Sequence, residues 1–273
     1  MYNGSMQNNS FLPFIKDTLE TAGEIARHNF GRVTNVTKTG DNNQVLTETD
    51  LEIGKLMVNA VQKAYPSHNV IDEEAGAIEK GSKYTWVIDP IDGTSNFANA
   101  VPTYGIMIGL LEGGKPVAAG IALPSLDDLY LGAPGHGATR NGNPIAVSPE
   151  TKLLSSLVAY GIDGHQEDPK LTYAETETLA RIVLGIRNLR TNNSCFDSVM
   201  VAQGSYGASL NQTSKIWDNV AQQAIIEAAG GIYTDFSGQP IDYSHPTSKI
   251  TQNFTWCSGS PALHRAVQAI VHL

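Results

Sequence analysis

The chain predicts an α+β layered sandwich, and three observations carry that expectation. Amphipathic helical stretches occur in pairs, long apolar runs between them read as antiparallel strands, and neither a linker nor an internal repeat divides the 273 residues. Phe14 to Phe30 places Ile15, Leu19, Ala22 and Ala26 at helical spacing, with Gly31 as a stop. Thr37 to Gln44 is polar and contains a glycine, which predicts a mobile loop or hairpin. Thr49-Asp-Leu-Glu52 has the pattern of a capping box opening a second helix, with Ile53, Met57, Ala60 and Ala64 on one side and Pro66 ending it. Gly105 to Leu111, Pro116 to Leu123 and Leu129 to Leu131 read as strands joined by Gly113-Gly114 and Pro124-Ser125, and Asn141-Gly142 marks a tight hairpin. The second half predicts a strand near Leu157, helices over 174–183 and 196–203, and a strand over 207–210. A long helix from Trp217, a strand over 232–235 and a closing helix after Pro261 complete it.

Bulk composition narrows the function. The hydrophobic fraction of 41% supports an extensive core, so one compact unit is expected, with two lobes over about 1–150 and 151–273 that share a site. The net charge of −9 disfavours nonspecific nucleic-acid binding, which needs basic side chains against phosphates. Two cysteines, Cys195 and Cys257, are too few for a disulfide framework and fit a reducing cytoplasm. Met1 to Ser10 lacks the pattern of a signal peptide, and the longest apolar runs, such as Ile106 to Leu111, are too short to cross a bilayer. The expectation is a cytoplasmic protein without a membrane or nucleic-acid partner.

The chemistry concentrates in Trp86-Val-Ile-Asp-Pro-Ile-Asp-Gly-Thr-Ser-Asn-Phe97. A buried strand, Trp86 to Ile88, runs into a turn that carries Asp89 and Asp92. Gly93 and Thr94 then open a helix, and the N–H groups there can meet an anion. Two carboxylates crowded at a strand end need a cation between them, and a cation beside a helix start is a site for a metal-bound phosphate. Ile71-Asp-Glu-Glu-Ala-Gly76 offers Glu73 and Glu74 after another short apolar strand. Ile216-Trp-Asp-Asn-Val220 presents Asp218 at the start of a helix that ends in Glu227-Ala-Ala-Gly-Gly231. Magnesium prefers oxygen ligands of this kind, and the Ile91 carbonyl in the turn is another donor. Two such ions about 4 Å apart can clamp a phosphate and activate water. Asp218 could equally act as an N-cap, and Asp50 could cap the second helix as well as serve in the site.

These motifs together resemble the inositol monophosphatase family of magnesium-dependent, lithium-sensitive phosphatases. Its signatures are Asp-Pro-x-Asp-Gly-Thr and Trp-Asp followed by Glu-Ala-Gly-Gly, and the likeness runs from about Phe14 to the C-terminus. The resemblance implies a five-layer αβαβα sandwich, hydrolysis of a small phosphate monoester, two or three Mg2+ ions per site and a homodimer. It implies Glu73, Asp89 and the Ile91 carbonyl on one ion, with Asp89, Asp92 and Asp218 sharing a second. It also implies Thr94 as the hydroxyl beside the attacking water, Asp50 accepting its proton, Glu74 assisting that water, and Gly93, Thr94 and Ser95 on the phosphate. Lys38, on the polar loop, can approach that phosphate or stay in solvent.

The substrate end departs from the pattern. Inositol-specific members carry a glutamate seven residues before the Trp-Asp aspartate, and here that position is Asn211. Their small-residue pocket segment is replaced by Arg190-Thr-Asn-Asn-Ser-Cys-Phe-Asp197, which puts Ser194 in the pocket. Asn211 loses a charge-assisted hydrogen bond to a sugar hydroxyl, while Lys215 adds a cation for a second anionic group. Inositol monophosphate or a related sugar phosphate is the leading substrate. Fructose bisphosphate, histidinol phosphate and phosphoadenosine phosphate are the alternatives within the class, and a metal-binding regulatory subunit without activity is the alternative outside it. Gly132-Ala-Pro-Gly-His-Gly137 lacks the Lys-Ser/Thr ending of a nucleotide cradle, and the seven histidines form no zinc motif.

Overall fold

The structure, a computed structural model, describes residues 9–33, 35–37 and 45–272, so Lys38 and the centre of its loop lie outside the described residues. Helix α1 (Leu12–Asn29) has Pro13 in its first turn and buries Ile15, Leu19, Ala22 and Ala26 completely. Antiparallel β1 (Asn35–Thr37) and β2 (Val45–Thr47) form the two arms of the expected hairpin. Helix α2 (Glu48–Ala64) starts before the expected capping box, because Asp50, three residues after Thr47, accepts the Thr47 N–H at 2.9 Å. Its buried stripe runs through Ile53, Met57 and Val61, while Ala64 is exposed. The short alanines therefore do not define the packed face; the branched and long residues do.

Two sheets follow. β3 (Asn69–Asp72), β4 (Gly76–Ile78) and β5 (Tyr84–Asp92) lead to a single-turn helix, α3 (Thr94–Ala98). Then come β6 (Gly105–Glu112), β7 (Lys115–Leu123), β8 (Asp128–Ala133), β9 (Gly137–Arg140) and β10 (Asn143–Ile145). These make an eight-stranded sheet in the order β10-β9-β8-β7-β6-β5-β3-β4, antiparallel except for the β3–β5 pair. Asn141-Gly142 makes the turn between β9 and β10, as its sequence predicts. β11 (Leu157–Gly161), α4 (Pro169–Gly185), β12 (Asn188–Arg190), α5 (Cys195–Ala202) and β13 (Ala208–Ser214) open the second half. α6 (Ile216–Ala228), β14 (Ile232–Thr234), β15 (Phe254–Gly259) and α7 (Pro261–Val271) complete it. Its five-stranded sheet has the order β12-β11-β13-β15-β14, and β12, β11 and β13 run parallel.

The layers stack as α1/α2, the eight-stranded sheet, α5/α6, the five-stranded sheet, and α4/α7, which is the αβαβα sandwich. Separate apolar clusters fill the seams between these layers, around Trp86 and Ile88, around Met107 and Ile225, and around Tyr160 and Leu263. Burying such faces supplies roughly 25 cal/mol per Å2 of apolar surface. Strands β12 and β15 are absent from the sequence reading. β12 has three residues with no apolar alternation, and β15 reads Phe-Thr-Trp-Cys-Ser-Gly, a half-polar run that burial between neighbours makes a strand.

Close approach of α6 to the first sheet fixes where Asp218 sits. A Cβ on Gly109 would lie 2.8 Å from Val220 Cγ1 and 3.0 Å from the Ala221 backbone nitrogen. Gly109→Ala is therefore expected to lower stability by about 1–3 kcal/mol, read as a fall in the urea midpoint at unchanged slope. An unchanged midpoint would show that the helix can retreat at no cost.

Candidate active site

Both sheets point the carboxyl ends of their parallel strands at one cavity. From the first sheet, β3 delivers Glu73 just past its end and β5 delivers Asp89 and Asp92. From the second, β11, β12 and β13 end at Gly161, Arg190 and Ser214, and the loops that follow form the opposite wall. The cavity measures about 360 Å3.

Asp89 and Asp92 are three residues apart, which in a regular strand would put them on opposite faces. The register between β5 and β6 slips there: Asp89 pairs with Met107 but Asp92 with Gly105. Pro90 has no N–H for the ladder, so the slip costs little, and it turns both carboxylates to one side. Asp218 joins them from the start of α6, and ligand oxygens of Asp89, Asp92 and Asp218 lie within 4.8 Å of one another.

That crowding has electrostatic consequences. Asp89 is buried and its Oδ1 has no hydrogen-bond partner among the described residues. Burial, then the charges of Glu73, Asp92 and Asp218, push its carboxyl well above the usual range. Burial likewise raises Asp92, to about 6, against the pull of the Cys195 N–H at the start of α5, which donates to its Oδ2. Asp218 Oδ2 accepts the Lys215 N–H at 2.5 Å, so Asp218 caps α6 as well as facing the cavity. An orphaned buried oxygen among three converging carboxylates, with Glu73 beside them, suits a hard divalent cation with oxygen ligands. The residues present fit magnesium.

Beside the cluster, Thr94 Oγ1 lies 3.1 Å from Asp50 Oδ1 and 2.8 Å from the Ile91 carbonyl, and can donate its one proton to either. Asp50 is buried and holds its other oxygen against the Thr47 N–H and hydroxyl, at 2.9 and 2.5 Å. Desolvation raises its carboxyl above the ordinary range, which favours it as a proton acceptor. The backbone turns at Gly93 with φ +79°, and a Cβ there would lie 2.9 Å from Ser194 Cβ, so only glycine fits. Thr94 N–H and its successors open α3 without intrahelical partners.

The cavity collects Glu73, Asp89, Ile91, Asp92 and Asp218 together with Gly93, Thr94, Ser95, Ser194 and Asn211. Asp50 stands behind Thr94 rather than on the surface of the cavity. Two expected residues lie elsewhere. Glu74 is not in the lining; its charge acts on Asp50 and Asp72 behind it, because the turn after β3 directs Glu73 and Glu74 apart. Lys215 is also outside the lining, and its Nζ donates to the Thr251 carbonyl at 3.0 Å, since the capping of α6 turns its side chain outward. Several lining residues escaped the sequence reading: Asn96, Asp163, Asn193, Asp197 and Gln222. Asn96 was legible within Ser-Asn-Phe97, as it donates to the Thr103 and Asn192 carbonyls, at 2.8 and 2.9 Å, and ties the two walls together. Asp163 belongs to no motif, and no local signal could have placed it.

A family model described as the inositol monophosphatase family matches residues 7–271. Among similar curated proteins, a fructose-1,6-bisphosphatase/inositol-1-monophosphatase of Aquifex aeolicus is 32% identical over 86% of this chain and 88% of its own. Inositol monophosphatase 2 of Solanum lycopersicum is 34% identical, over 85% and 89%. Among solved structures, an IMPase from Thermotoga maritima superposes with a TM-score of 0.84 at 27% identity, covering 96% of this chain and 97% of that one. The layered fold and these relatives define a phosphoric monoester hydrolase. The chain belongs to the inositol monophosphatase family.

Proposed function

We propose that the protein hydrolyses a small phosphate monoester by direct attack of water, with magnesium held by Glu73, Asp89, Asp92, Asp218 and the Ile91 carbonyl. Inositol monophosphate or a related sugar phosphate is the substrate. The observation that carries this reading is the convergence of Asp89, Asp92 and Asp218, one oxygen of Asp89 unpartnered, beside the Thr94–Asp50 pair. When bound, two or three magnesium ions neutralise the phosphate oxygens and make water acidic enough to attack near neutral pH. The protein's own groups supply orientation and proton transfer. Thr94 Oγ1 accepts a hydrogen bond from the attacking water and passes its own proton to Asp50 Oδ1, 3.1 Å away. The N–H groups of Gly93, Thr94 and Ser95 receive the phosphate. Glu73 and the three aspartates are held by strand ends and by the Cys195 and Lys215 amides, so little reorganisation accompanies the reaction.

Phosphate release from inositol 1-phosphate, fructose 1,6-bisphosphate, histidinol phosphate and phosphoadenosine phosphate separates the substrate readings. Inositol 1-phosphate is expected to give the highest kcat/KM; a clear preference for either of the last two would replace the sugar-phosphate assignment. Asn211 sharpens the comparison. Its Oδ1 accepts the Thr213 N–H at 2.7 Å, which orients the side chain on the cavity wall. Asn211→Glu is expected to favour inositol 1-phosphate over the bisphosphate by about 1–2 kcal/mol, because a carboxylate strengthens a contact to a hydroxyl and repels a second phosphate. An unmoved ratio would place Asn211 outside the substrate contacts.

The same reading includes a cytoplasmic homodimer. The two cysteines are free and buried, as a reducing compartment favours. Leu154, Tyr173 and Leu184 are exposed on and near α4, where a partner could cover them. Sedimentation equilibrium that returned only the monomer mass would remove the dimer.

A further inference from the structure

We infer that Asp163 is a specificity-determining residue that charges the leaving-group end of the cavity and disfavours esters carrying a second phosphate. The inference rests on the phosphatase reading and names the substrate class more narrowly. A phosphate seated at the carboxylate cluster and the start of α3 directs its ester oxygen toward the remaining wall. That wall is made by the loops after β11 and β12 and by the end of β13, with Asp163, Asn193, Asn211 and Thr213 on it. Among the described residues no lysine, arginine or histidine lines the cavity. Of the acids outside the metal cluster, Asp197 is committed inward: it is buried and accepts Asn192 N–H at 3.0 Å and Asn192 Nδ2 at 2.6 Å. Asp163 is the acid that the wall presents to a leaving group.

Its position is built rather than incidental. Asn193 sits in the left-handed region at φ +51°, which asparagine tolerates. From there its Nδ2 donates to Asp163 Oδ1 and to the Ile162 carbonyl, each at 2.9 Å, and its Oδ1 accepts the Ile162 N–H at 3.0 Å. The neighbouring Gly161 leaves no room for slack: a Cβ there would lie 2.5 Å from Asn211 Nδ2 and 3.3 Å from Asn193 Oδ1. On the far side, the His165 N–H donates to Thr172 Oγ1 at 2.7 Å and the His165 ring meets buried Glu175 at 3.0 Å, which fastens the loop to α4. A carboxylate held this way repels a nearby phosphate, whereas a neutral polyol can donate hydroxyls to it. The wall therefore fits a leaving group that is neutral or cationic.

The test compares Asp163→Asn and Asp163→Lys with the unaltered protein at saturating magnesium. Asparagine keeps the size and the oxygen that Asn193 grips, and removes the charge alone. The readouts are kcat/KM for inositol 1-phosphate and for fructose 1,6-bisphosphate, and the inhibition constant of the bisphosphate as a competitor. The preference for bisphosphate over monophosphate is expected to rise about tenfold in Asp163→Asn, and further in Asp163→Lys, the size expected for removing one partly screened like charge. The gain should fall in KM and in the inhibition constant rather than in kcat. A ratio unchanged in both variants, or an equal loss on both substrates, overturns the inference while phosphate release by the unaltered protein leaves the phosphatase reading standing. No phosphate release from either ester by the unaltered protein overturns both.

Discussion

Replacing Asp92 with Asn is expected to lower kcat/KM by roughly 10³-fold while making the metal-free protein more stable. Asn keeps an oxygen for the Cys195 N–H but removes a negative charge from a crowded, half-buried cluster. Loss of solvent around its carboxyl pushes Asp92 up to about 6 in the folded chain, from an ordinary value of 3.8. A carboxyl raised in this way favours folding most below about 4, where it is protonated in both states. That contribution is lost as pH rises through about 6, where the folded chain must hold a buried charge. The metal-free protein should therefore weaken between pH 5 and 7.5, and Asp92→Asn should flatten the trend, with a gain of about 1–3 kcal/mol at the upper end. Urea unfolding in a chelator at the two pH values measures this. A variant that keeps near-normal magnesium-dependent activity would remove Asp92 from the ligand set, and one destabilised at pH 7.5 would contradict the electrostatic account.

Thr94→Ala is the second large effect. The substitution deletes the hydroxyl that meets Asp50, the one proposed to face the attacking water, but leaves the Thr47 bonds to Asp50 in place. General-base assistance contributes on the order of 10²–10⁴-fold, so kcat should fall by that range with KM little changed. The folded state should lose no more than about 1 kcal/mol, one net hydrogen bond. A change confined to KM would make Thr94 a phosphate contact only, and the proton would need another route.

Where these residues could be read in advance depended on how local their causes are. Asp89, Asp92, Gly93 and Thr94 lie within one strand, turn and helix start, and their spacing encodes the geometry directly. Helix α1 is legible because four of its buried residues, Ile15, Leu19, Ala22 and Ala26, repeat at helical spacing. The register slip at Pro90 was not visible, although it is what puts Asp89 and Asp92 on one side. Lys215 lies outside the cavity because a position three residues before Asp218 says nothing of where a flexible side chain goes; the capping of α6 decides that. Asp163 and Asn193 meet across 30 residues of chain, and their pairing exists only after β11 and β12 align. Local chemistry survives in sequence, while the substrate wall is a product of assembly.

The central claim is that the carboxylate cluster works by holding magnesium against a phosphate monoester. Its most direct measurement is phosphate release from inositol 1-phosphate by protein stripped of metal with a chelator, followed by titration with Mg2+. Release should be absent in the stripped protein and return saturably with magnesium, while stripped Asp92→Asn should not recover over the same range. Full phosphate release in the stripped protein, or recovery by Asp92→Asn equal to that of the unaltered chain, would contradict the account.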